Sequence, residues 1–404
     1  MSGLSRPIPL AEAQARLLSQ VGLPETEELP AEAALGRYLA ADLLARRTQP
    51  AADLSAMDGY AVPADDLAGP WRIVGHSAAG HPYPGSLSAG EAVRISTGAL
   101  MPAGAGAVLL QEEAERDGDR LRLASGGMPS ARHIRRTGFD FQAGGPLLTR
   151  GTRIGPAQLA LALSGGHAAL PVGRLPSVAV LDSGDELSAA PGDCAPHQIP
   201  ASNGAMLAAM AAPYARFVRR IGPVADRMDA MLAALEEAEG VDVLVTSGGA
   251  SVGDHDLVRP ALEQWGATID FWRVAMKPGK PVLVARRGGT RVLGLPGNPV
   301  SSYVTAFLFL LPLLRTLGGA REQERLPRPV PARLDGTLPA TADRQEFIRA
   351  SFKRQTIVPM SGQDSSALGS LSAANALIDR PIGASAAESG TIVSCFLLAC
   401  GGIA

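Results

Sequence analysis

Acidic side chains follow the first of two apolar stretches that have the composition of buried strands. The run SVAVLD leads into the loop Ser183–Leu187, in which Asp185 and Glu186 are adjacent. In an α/β fold, loops at the carboxyl ends of the strands form the ligand crevice. Two adjacent carboxylates there could hold a divalent cation or act as acid or base, but an ordinary helix cap and turn would use the same residues.

A glycine-rich loop follows the second apolar stretch, VDVLVTS. Its sequence GGASVGDHD contains Ser251 among three glycines and ends on Asp256. Backbone N–H groups that glycines leave accessible, together with the N-terminus of the next helix, can cradle a phosphate. The loop matches neither GxGxxG nor the Walker A pattern, so those two routes to nucleotide binding are not supported. Asp256 could contact a ring or a metal, or simply cap the helix.

Two proline-stiffened loops carry lysines and serines. Lys277 and Lys280 lie three residues apart in KPGKP, a spacing that suits an oxyanion or phosphate and also a solvated hairpin. Ser301 and Ser302 follow LPGNP and could cap the next helix or donate to an anion. Because three such loops fall on one edge of the predicted sheet, a shared site for a phosphate-bearing ligand is favoured. The turn at Asp58 fits a surface position as readily as a functional one.

The surrounding pattern predicts the elements that position these loops. Residues 177–317 alternate apolar strands with helical stretches, which predicts a mainly parallel α/β sheet. Short β-like runs between Gly and Pro turns predict one small β unit from about residue 50 to 145 and another near the C-terminus. The N-terminal stretches AEAQARLLSQV and AEAALGRYLAADLLA are predicted to be helices, as are residues 151–170.

Composition limits the possible partners and compartments. The 404 residues include 37 Lys plus Arg against 39 Asp plus Glu, and only 4% are aromatic, so a nucleic-acid binder is not favoured. The 46 glycines and 32 prolines indicate many turns. The longest apolar run, Val304 to Leu314, is shorter than the roughly 20 residues that span a bilayer. Together with the scattered Cys194, Cys395 and Cys400, these features predict a soluble cytoplasmic protein.

Six short motifs occur in order along the chain: SAMDGYAV, the TG of RISTGALMPAGAGAV, SGDEL, TSGGASVGDHD, KPGKP and GLPGNPVSS. Together they resemble the molybdopterin molybdenumtransferase (MoeA) family, which includes the E domain of gephyrin. The resemblance extends from ALGRYLA at residues 34–40 to SSALGSLSAANAL at residues 365–377. Each motif alone is weak, whereas six of them in this order are specific.

The resemblance implies a multidomain α/β plus β fold with four parts. An extended dimerisation region would combine residues 1–50 and 145–176, and a small β domain would be inserted at 51–144. Residues 177–320 would form a MogA-like, mainly parallel α/β domain that binds molybdopterin, and residues 328–404 a β-barrel-like domain. The active site would be a cleft between the α/β domain of one subunit and the inserted domain of its partner in a homodimer.

The reaction implied by the resemblance is molybdenum insertion. Adenylylated molybdopterin and molybdate are the substrates, the phosphoanhydride is cleaved with release of AMP, and molybdenum cofactor forms, with Mg²⁺ supporting the cleavage. This chemistry needs acids for the cation, and basic side chains or backbone N–H groups for phosphate and molybdate. The family also implies contacts with a MogA-type adenylyltransferase and with molybdoenzymes or their chaperones, without nucleic acid or membrane partners.

The family's functional positions, transferred onto this sequence, supply the candidate residues. The catalytic candidates are Asp58, Thr97, Asp140, Glu186, Asp226 and Asp256, of which Asp58, Asp140 and Glu186 are also the metal candidates. A helix N-cap would equally explain Asp226. The cofactor-binding candidates are Ser247, Gly248, Gly249, Ser251, Gly253, Arg273, Lys277, Lys280, Pro296, Gly297, Asn298, Pro299, Ser301, Arg349 and Ser366.

Some positions depart from the family pattern, and two other functions stay open. Other residues are usual at the positions of Ser96, Leu100, Gly106, Asp182 and Ala350, although none of these departures removes a candidate acid or lysine. A non-catalytic scaffold of the gephyrin type would usually carry extra domains and long linkers. An adenylyltransferase alone would need only the α/β domain. The complete set of candidate acids therefore favours the enzyme.

Overall fold

The computed structural model describes residues 7–248 and 257–398. Up to residue 176 the elements are α1 (Leu10–Ser19), β1 (Thr26–Pro30), β2 (Leu43–Leu44), β3 (Leu54–Ser55), β4 (Gly59–Pro63), β5 (Trp71–Ser77), β6 (Glu91–Ile95), β7 (Ala105–Leu110), β8 (Ala114–Asp117), β9 (Arg120–Leu123), β10 (Ile134–Arg135), β11 (Pro146–Leu148), α2 (Pro156–Ser164) and β12 (Ala169–Gly173).

From residue 177 the elements build an α/β domain and a C-terminal domain. They are β13 (Ser177–Ser183), β14 (Leu187–Ser188), β15 (Ile199–Pro200), α3 (Ser202–Ala211), β16 (Phe217–Val224), α4 (Met228–Glu237), β17 (Val243–Ser247), α5 (Val258–Gln264), β18 (Thr268–Arg273), β19 (Met276–Lys277), β20 (Pro281–Arg287), β21 (Thr290–Leu295), α6 (Pro299–Thr305), α7 (Leu311–Leu317), α8 (Glu322–Arg325), β22 (Val330–Leu334), β23 (Gln345–Lys353), β24 (Thr356–Pro359), α9 (Leu368–Ala373), β25 (Ala376–Arg380) and β26 (Ile392–Leu397).

Short antiparallel pairings join the N-terminal segment to the segment after residue 145. Strand β1 pairs with β12, and β2 pairs with β11. A small apolar core lies between them, formed by Ala31, Ala34, Leu39, Leu43, Ile154, Ala162, Leu170 and Val172. Two stretches that are separated in the sequence by the inserted β sheet thus share one core.

The second helix predicted near the N-terminus is wrong. The stretch AEAALGRYLAADLLA forms only a 3-10 turn at Ala31–Ala34, after which the chain is extended. Gly36 has φ of 82°, a left-handed conformation that ends a helix. Beyond it, Tyr38 and Leu39 form β-bridges to the segments that contain α2 and β12. The apolar residues of this stretch have helical spacing, but they pack into the small N-terminal core as part of an extended chain.

The inserted sheet has the strand order β7-β4-β6-β5-β9-β8. Apolar clusters cover both of its faces, one around Trp71 and Leu109 and the other around Ile95 and Val108. Strands β4 and β6 are antiparallel neighbours. The residue before β4 and the residues after β6 therefore meet at one end of the sheet.

The α/β sheet has the order β16-β13-β17-β21-β20-β18. The first four strands are parallel, and β20 and β18 complete the sheet in antiparallel fashion. Strands β13 and β17 are buried along their whole length because apolar clusters cover both faces of the sheet. The register places Asp182 opposite Ser247 and Ser247 opposite Leu295. The loops that leave these three strands therefore begin side by side.

A long apolar helical stretch, Pro299–Leu317, packs against this sheet and includes a π-helical turn at Ala306–Leu310. It has 19 residues and a mean hydropathy of 1.6, enough by length and composition to cross a membrane, but 89% of its apolar window is buried inside the protein. Its Arg315 guanidinium lies 5.3 Å from the ring centroid of Tyr214. The stretch therefore belongs to the protein core.

The C-terminal strands close into a five-stranded barrel. Their order is β23-β24-β22-β26-β25, and β25 pairs back onto β23. The short strand β19 adds to β23 in parallel, which ties the α/β domain to the barrel. The multidomain α/β plus β fold, with its mainly parallel sheet and C-terminal barrel, is thus confirmed. The exact domain boundaries stay a prediction.

Candidate active site

A cavity of about 850 Å³ lies at the carboxyl ends of β13, β17 and β21. Helix α3 and the loop before α6 form further walls, and the C-terminal domain contributes Ser366 and Leu368. This is the position that parallel α/β sheets use for ligands, because the strand ends leave a crevice between diverging loops. The cavity is large enough for a drug-sized ligand.

Nine of the predicted site residues line this cavity. They are Glu186, Asp226, Ser247, Gly248, Pro296, Gly297, Asn298, Pro299 and Ser366. Ser301 is buried in α6, two residues after Pro299. The predicted residues Gly249, Ser251, Gly253 and Asp256 lie outside the described residues. Five separate stretches of sequence thus meet in one place.

Three carboxylates give the cavity its charge, and together they are called here the acidic cleft: Asp182, Glu186 and Asp226. Gly184 has φ of 147°, and a Cβ there would lie 2.4 Å from the Glu186 Oε2 atom. The positive φ favours glycine at this position, and a side chain there would also displace the Glu186 carboxylate. The Asp226 backbone N–H donates to Asp185 Oδ1 at 3.0 Å, which holds the two acidic loops together. Among the described residues that line the cavity there is no lysine or arginine.

Asp182 also lines the cavity, at a position where the chain departs from the family pattern. Its side chain is 3% exposed, and burial raises its pKa to about 6 against the opposing influence of Arg220 and of a hydrogen bond from Gly204 N–H. A sequence signal for it existed. A carboxylate that ends a continuous apolar strand is carried into the interior by the strand itself.

Side-chain amides connect the cavity loops. Asn203 Nδ2 donates to the Gly297 carbonyl at 2.6 Å, and Asn298 Nδ2 donates to Ser365 Oγ at 2.9 Å. The Val300 backbone N–H donates to the Ser365 carbonyl at 3.1 Å. These bonds hold the LPGNP loop between α3 and the C-terminal domain, so the rim of the cavity depends on both.

The predicted basic residues lie beside the cavity without lining it. The segment Arg273–Lys280, called here the basic loop, contains β19 and precedes the cavity residue Pro281. Lys277 Nζ forms an ion pair with Glu346 Oε1 at 3.2 Å, with the lysine side chain 55% exposed. Lys280 is exposed, and Arg273 is partly buried. Binding an anion at Lys277 would therefore compete with Glu346.

Arg349 is fully enclosed. Its guanidinium donates to three backbone carbonyls, those of Gly362 at 2.8 Å, Asp364 at 2.8 Å and Ala367 at 3.2 Å. Its residue exposure is 1%, and this burial lowers its pKa. In this arrangement Arg349 shapes the loop that presents Ser366 to the cavity, and its Nη1 and Nη2 atoms donate to that loop.

The remaining predicted acids lie away from the cavity. Asp58 Oδ1 accepts the Thr97 backbone N–H at 2.8 Å, as the meeting of β4 and β6 requires, and both residues are exposed. The exposed Asp140 is held by a backbone hydrogen bond to Gln49. Within residues 7–248 and 257–398, no group of three or more His, Cys, Asp or Glu side chains is arranged to hold a metal. The metal candidates Asp58, Asp140 and Glu186 are thus not brought together within one chain.

Comparison with known protein families covers most of the chain. Residues 8–166 match the MoeA N-terminal region (domain I and II), residues 179–316 a "Probable molybdopterin binding domain", and residues 331–398 the MoeA C-terminal region (domain IV).

Curated relatives with the name molybdopterin molybdenumtransferase match most of this chain, and so does a gephyrin. The molybdopterin molybdenumtransferase of Bacillus subtilis is 35% identical over 97% of this chain and 94% of its own. Molybdopterin molybdenumtransferase 2 of Mycobacterium tuberculosis H37Rv is 34% identical over 87% of this chain and 90% of its own. Gephyrin of Dictyostelium discoideum is 30% identical over 93% of this chain and 60% of its own.

A solved structure agrees with these matches. The molybdopterin biosynthesis MoeA protein from Pyrococcus horikoshii superposes with a TM-score of 0.78 at 30% identity, covering 97% of this chain and 99% of that one. The family matches, the curated relatives and the solved structure all cover most of the chain. The chain belongs to the molybdopterin molybdenumtransferase (MoeA) family and is an enzyme of molybdenum cofactor biosynthesis.

Proposed function

We propose that this enzyme inserts molybdenum from molybdate into adenylylated molybdopterin, cleaving the phosphoanhydride and releasing AMP. The observation that carries this proposal is the cavity at the strand ends, where the acidic cleft meets the loops after β17 and β21. Gly297 and Asn298, in the loop after β21, offer backbone and amide groups to phosphate oxygens, as the substrate requires. The relatives named molybdopterin molybdenumtransferase support the same reaction.

Mg²⁺ fits the acidic cleft as a cofactor held jointly by protein and substrate. This ion is usually bound through one or two carboxylates together with phosphate oxygens, so a cluster of three protein acids is not needed. Glu186 and Asp226, which both line the cavity, would hold it. When bound, Mg²⁺ neutralises charge on the phosphoanhydride. The protein's own part is to position the two acids, through Gly184 and the bond between Asp226 and Asp185.

We infer that a homodimer completes the site. Asp58, Thr97 and Asp140 are exposed and do not line the cavity of their own chain, so a partner's inserted domain would bring them to it. Phe139, next to Asp140, is 75% exposed, and Leu44 and Leu163 in the extended region are 52% and 45% exposed. A partner chain that covered these side chains would remove their apolar surface from water.

The cellular setting is part of the same proposal. The thiols of Cys194 and Cys395 are free, which suits a reducing, cytoplasmic compartment. A MogA-type adenylyltransferase would supply the adenylylated substrate, and molybdoenzymes or their chaperones would receive the product.

The test of the reaction is AMP release from adenylylated molybdopterin with molybdate and Mg²⁺, followed by chromatography. We expect Glu186→Gln to lower the rate by about 100-fold or more, because it removes a charge that the cation needs. Glu237→Gln, an exposed position on α4, is the matched control and should behave as wild type. Failure of the wild-type protein to release AMP would refute the proposal and favour a non-catalytic scaffold of gephyrin type.

Mixed dimers test the shared site. Asp58→Asn and Glu186→Gln should each be nearly inactive alone, because each spoils every site. Subunit exchange between them should restore about a quarter of wild-type activity, since half of the dimers are mixed and each mixed dimer has one intact site. A mixture as inactive as its components would place Asp58 outside the site of the partner.

A further inference from the structure

Asp182 lies on the floor of the cavity and takes no part in the chemistry described above. It is the last residue but one of β13, and it faces α3 across the strand end. A Cβ at Gly204 would lie 1.9 Å from Asp182 Oδ2, so the first turn of α3 can approach the carboxylate only because residue 204 is glycine. The close packing shows that the fold is built around this carboxylate.

The hydrogen bonding of the carboxylate is incomplete. Its Oδ2 side is packed against Gly204, whose backbone N–H donates to the carboxylate. Oδ1 is buried and has no hydrogen-bond partner in the described protein. A buried acceptor without a donor costs about 1–3 kcal/mol. Rotation about the terminal torsion of aspartate is soft, so Oδ1 could turn toward a donor in the cavity.

The charges around Asp182 indicate which kind of ligand group would donate a hydrogen bond to Oδ1. Glu186 and Asp226 are the other charged residues of the described cavity wall, and both are acids. Arg220, on the adjacent β16, is exposed at the surface and acts on Asp182 only as a nearby charge. Burial raises the Asp182 pKa to about 6, so the carboxylate is mostly ionised at neutral pH. An ionised acceptor among acids disfavours an anionic group and favours N–H donors.

We propose that Asp182 is a specificity-determining residue that accepts a hydrogen bond from the aminopyrimidinone edge of the pterin. This assignment rests on the proposed function, because it takes the substrate to be a molybdopterin. The pterin ring carries a 2-amino group beside a ring N–H, and it supplies the donor that Oδ1 lacks. The phosphate end of the substrate then lies toward the loop between β21 and α6, since β21 is two strands away from β13 in the sheet.

The experiment compares two phosphate-free probes that differ at one position. Pterin carries a 2-amino group, whereas lumazine carries a 2-oxo group, and the binding of both can be followed by their fluorescence. We expect wild-type protein to prefer pterin by about tenfold. Asp182→Asn keeps the shape and an oxygen for Gly204 N–H, but it places an NH₂ group where Oδ1 was. The variant should lose or invert the preference.

Asp379→Asn is the matched control, because Asp379 is a partly buried carboxylate whose pKa is also raised by burial and which lies outside the cavity wall. It should retain the wild-type preference, and AMP should bind equally to all three proteins. An unchanged pterin preference in Asp182→Asn would overturn the proposal, as would equal losses for pterin and AMP, or wild-type protein that does not bind pterin. AMP release by the wild-type enzyme tests the reaction separately, so the two proposals can fail independently.

Discussion

The acidic cleft and the basic residues beside it differ in how much of their bonding capacity is already used. In the cleft, Asp182 keeps an oxygen with no hydrogen-bond partner at the floor of an open cavity. Among the basic residues, Lys277 in the basic loop is paired with Glu346, and Arg349 donates to three carbonyls of the C-terminal domain. Asp182 can thus accept a hydrogen bond from a ligand directly, whereas Lys277 and Arg349 must first give up a bond within the protein.

This difference teaches that counting charges does not locate an anion site. The chain has a formal net charge of −2, and its motifs place lysines next to the cavity. Their availability depends on partners such as Glu346, which belongs to a different domain. The three predictions below test each side of the comparison, and the first concerns Arg349.

Arg349→Ala should give the largest effect, a loss of about 3–5 kcal/mol in stability, because it leaves buried carbonyls unpaired and opens a cavity. A fall in melting temperature and faster proteolysis near residues 362–367 would show it. Arg349→Lys should be intermediate, because lysine lacks the planar fork that reaches several acceptors. If Arg349→Ala instead melts like wild type and loses only molybdate binding, Arg349 is a direct anion ligand and the comparison fails.

Asp182→Asn should stabilise the protein above pH 6, by at most about 3 kcal/mol. The folded-state pKa of about 6 lies above the ordinary value of 3.8, so the folded protein binds more protons than the unfolded chain between these values. Wild-type stability is therefore penalised at pH 8, and the penalty disappears as the pH falls toward 4.

Melting temperatures of both proteins at pH 8 and pH 5 measure this effect. The advantage of Asp182→Asn should shrink at pH 5, where wild-type Asp182 is mostly protonated. If the variant is less stable than wild type at pH 8, the Asp182 carboxylate already has good hydrogen-bond partners. Asp182 would then have no more unused bonding capacity than Lys277 and Arg349.

Glu346→Gln should give the smallest effect, because ion pairs whose lysine is exposed to solvent contribute less than about 1 kcal/mol. Release of Lys277 should lower the molybdate KM for AMP release by about two- to fivefold. Glu115→Gln, which breaks an exposed pair with Arg122 in the inserted sheet, is the control and should leave the KM unchanged. A raised KM would show that Glu346 itself supports molybdate binding.

Much of the fold follows from local pattern. Continuous apolar runs predicted β13 and β17, because strands covered on both faces have no polar side to display. The failure at residues 31–45 has a physical reason as well. Amphipathic spacing does not distinguish a helix from extended chain that bridges onto a neighbour, and a single positive φ at Gly36 decided between them.

Sequence alone determined the family, the parallel sheet and the loops that meet in the cavity, because motif order and strand composition are local properties. Only the tertiary structure decided which charges remain available. Asp182 is isolated by the approach of α3, Arg349 is enclosed by its own loop, and Lys277 meets a glutamate 69 residues away. The pKa and pairing of a side chain depend on neighbours that the fold brings from distant parts of the chain.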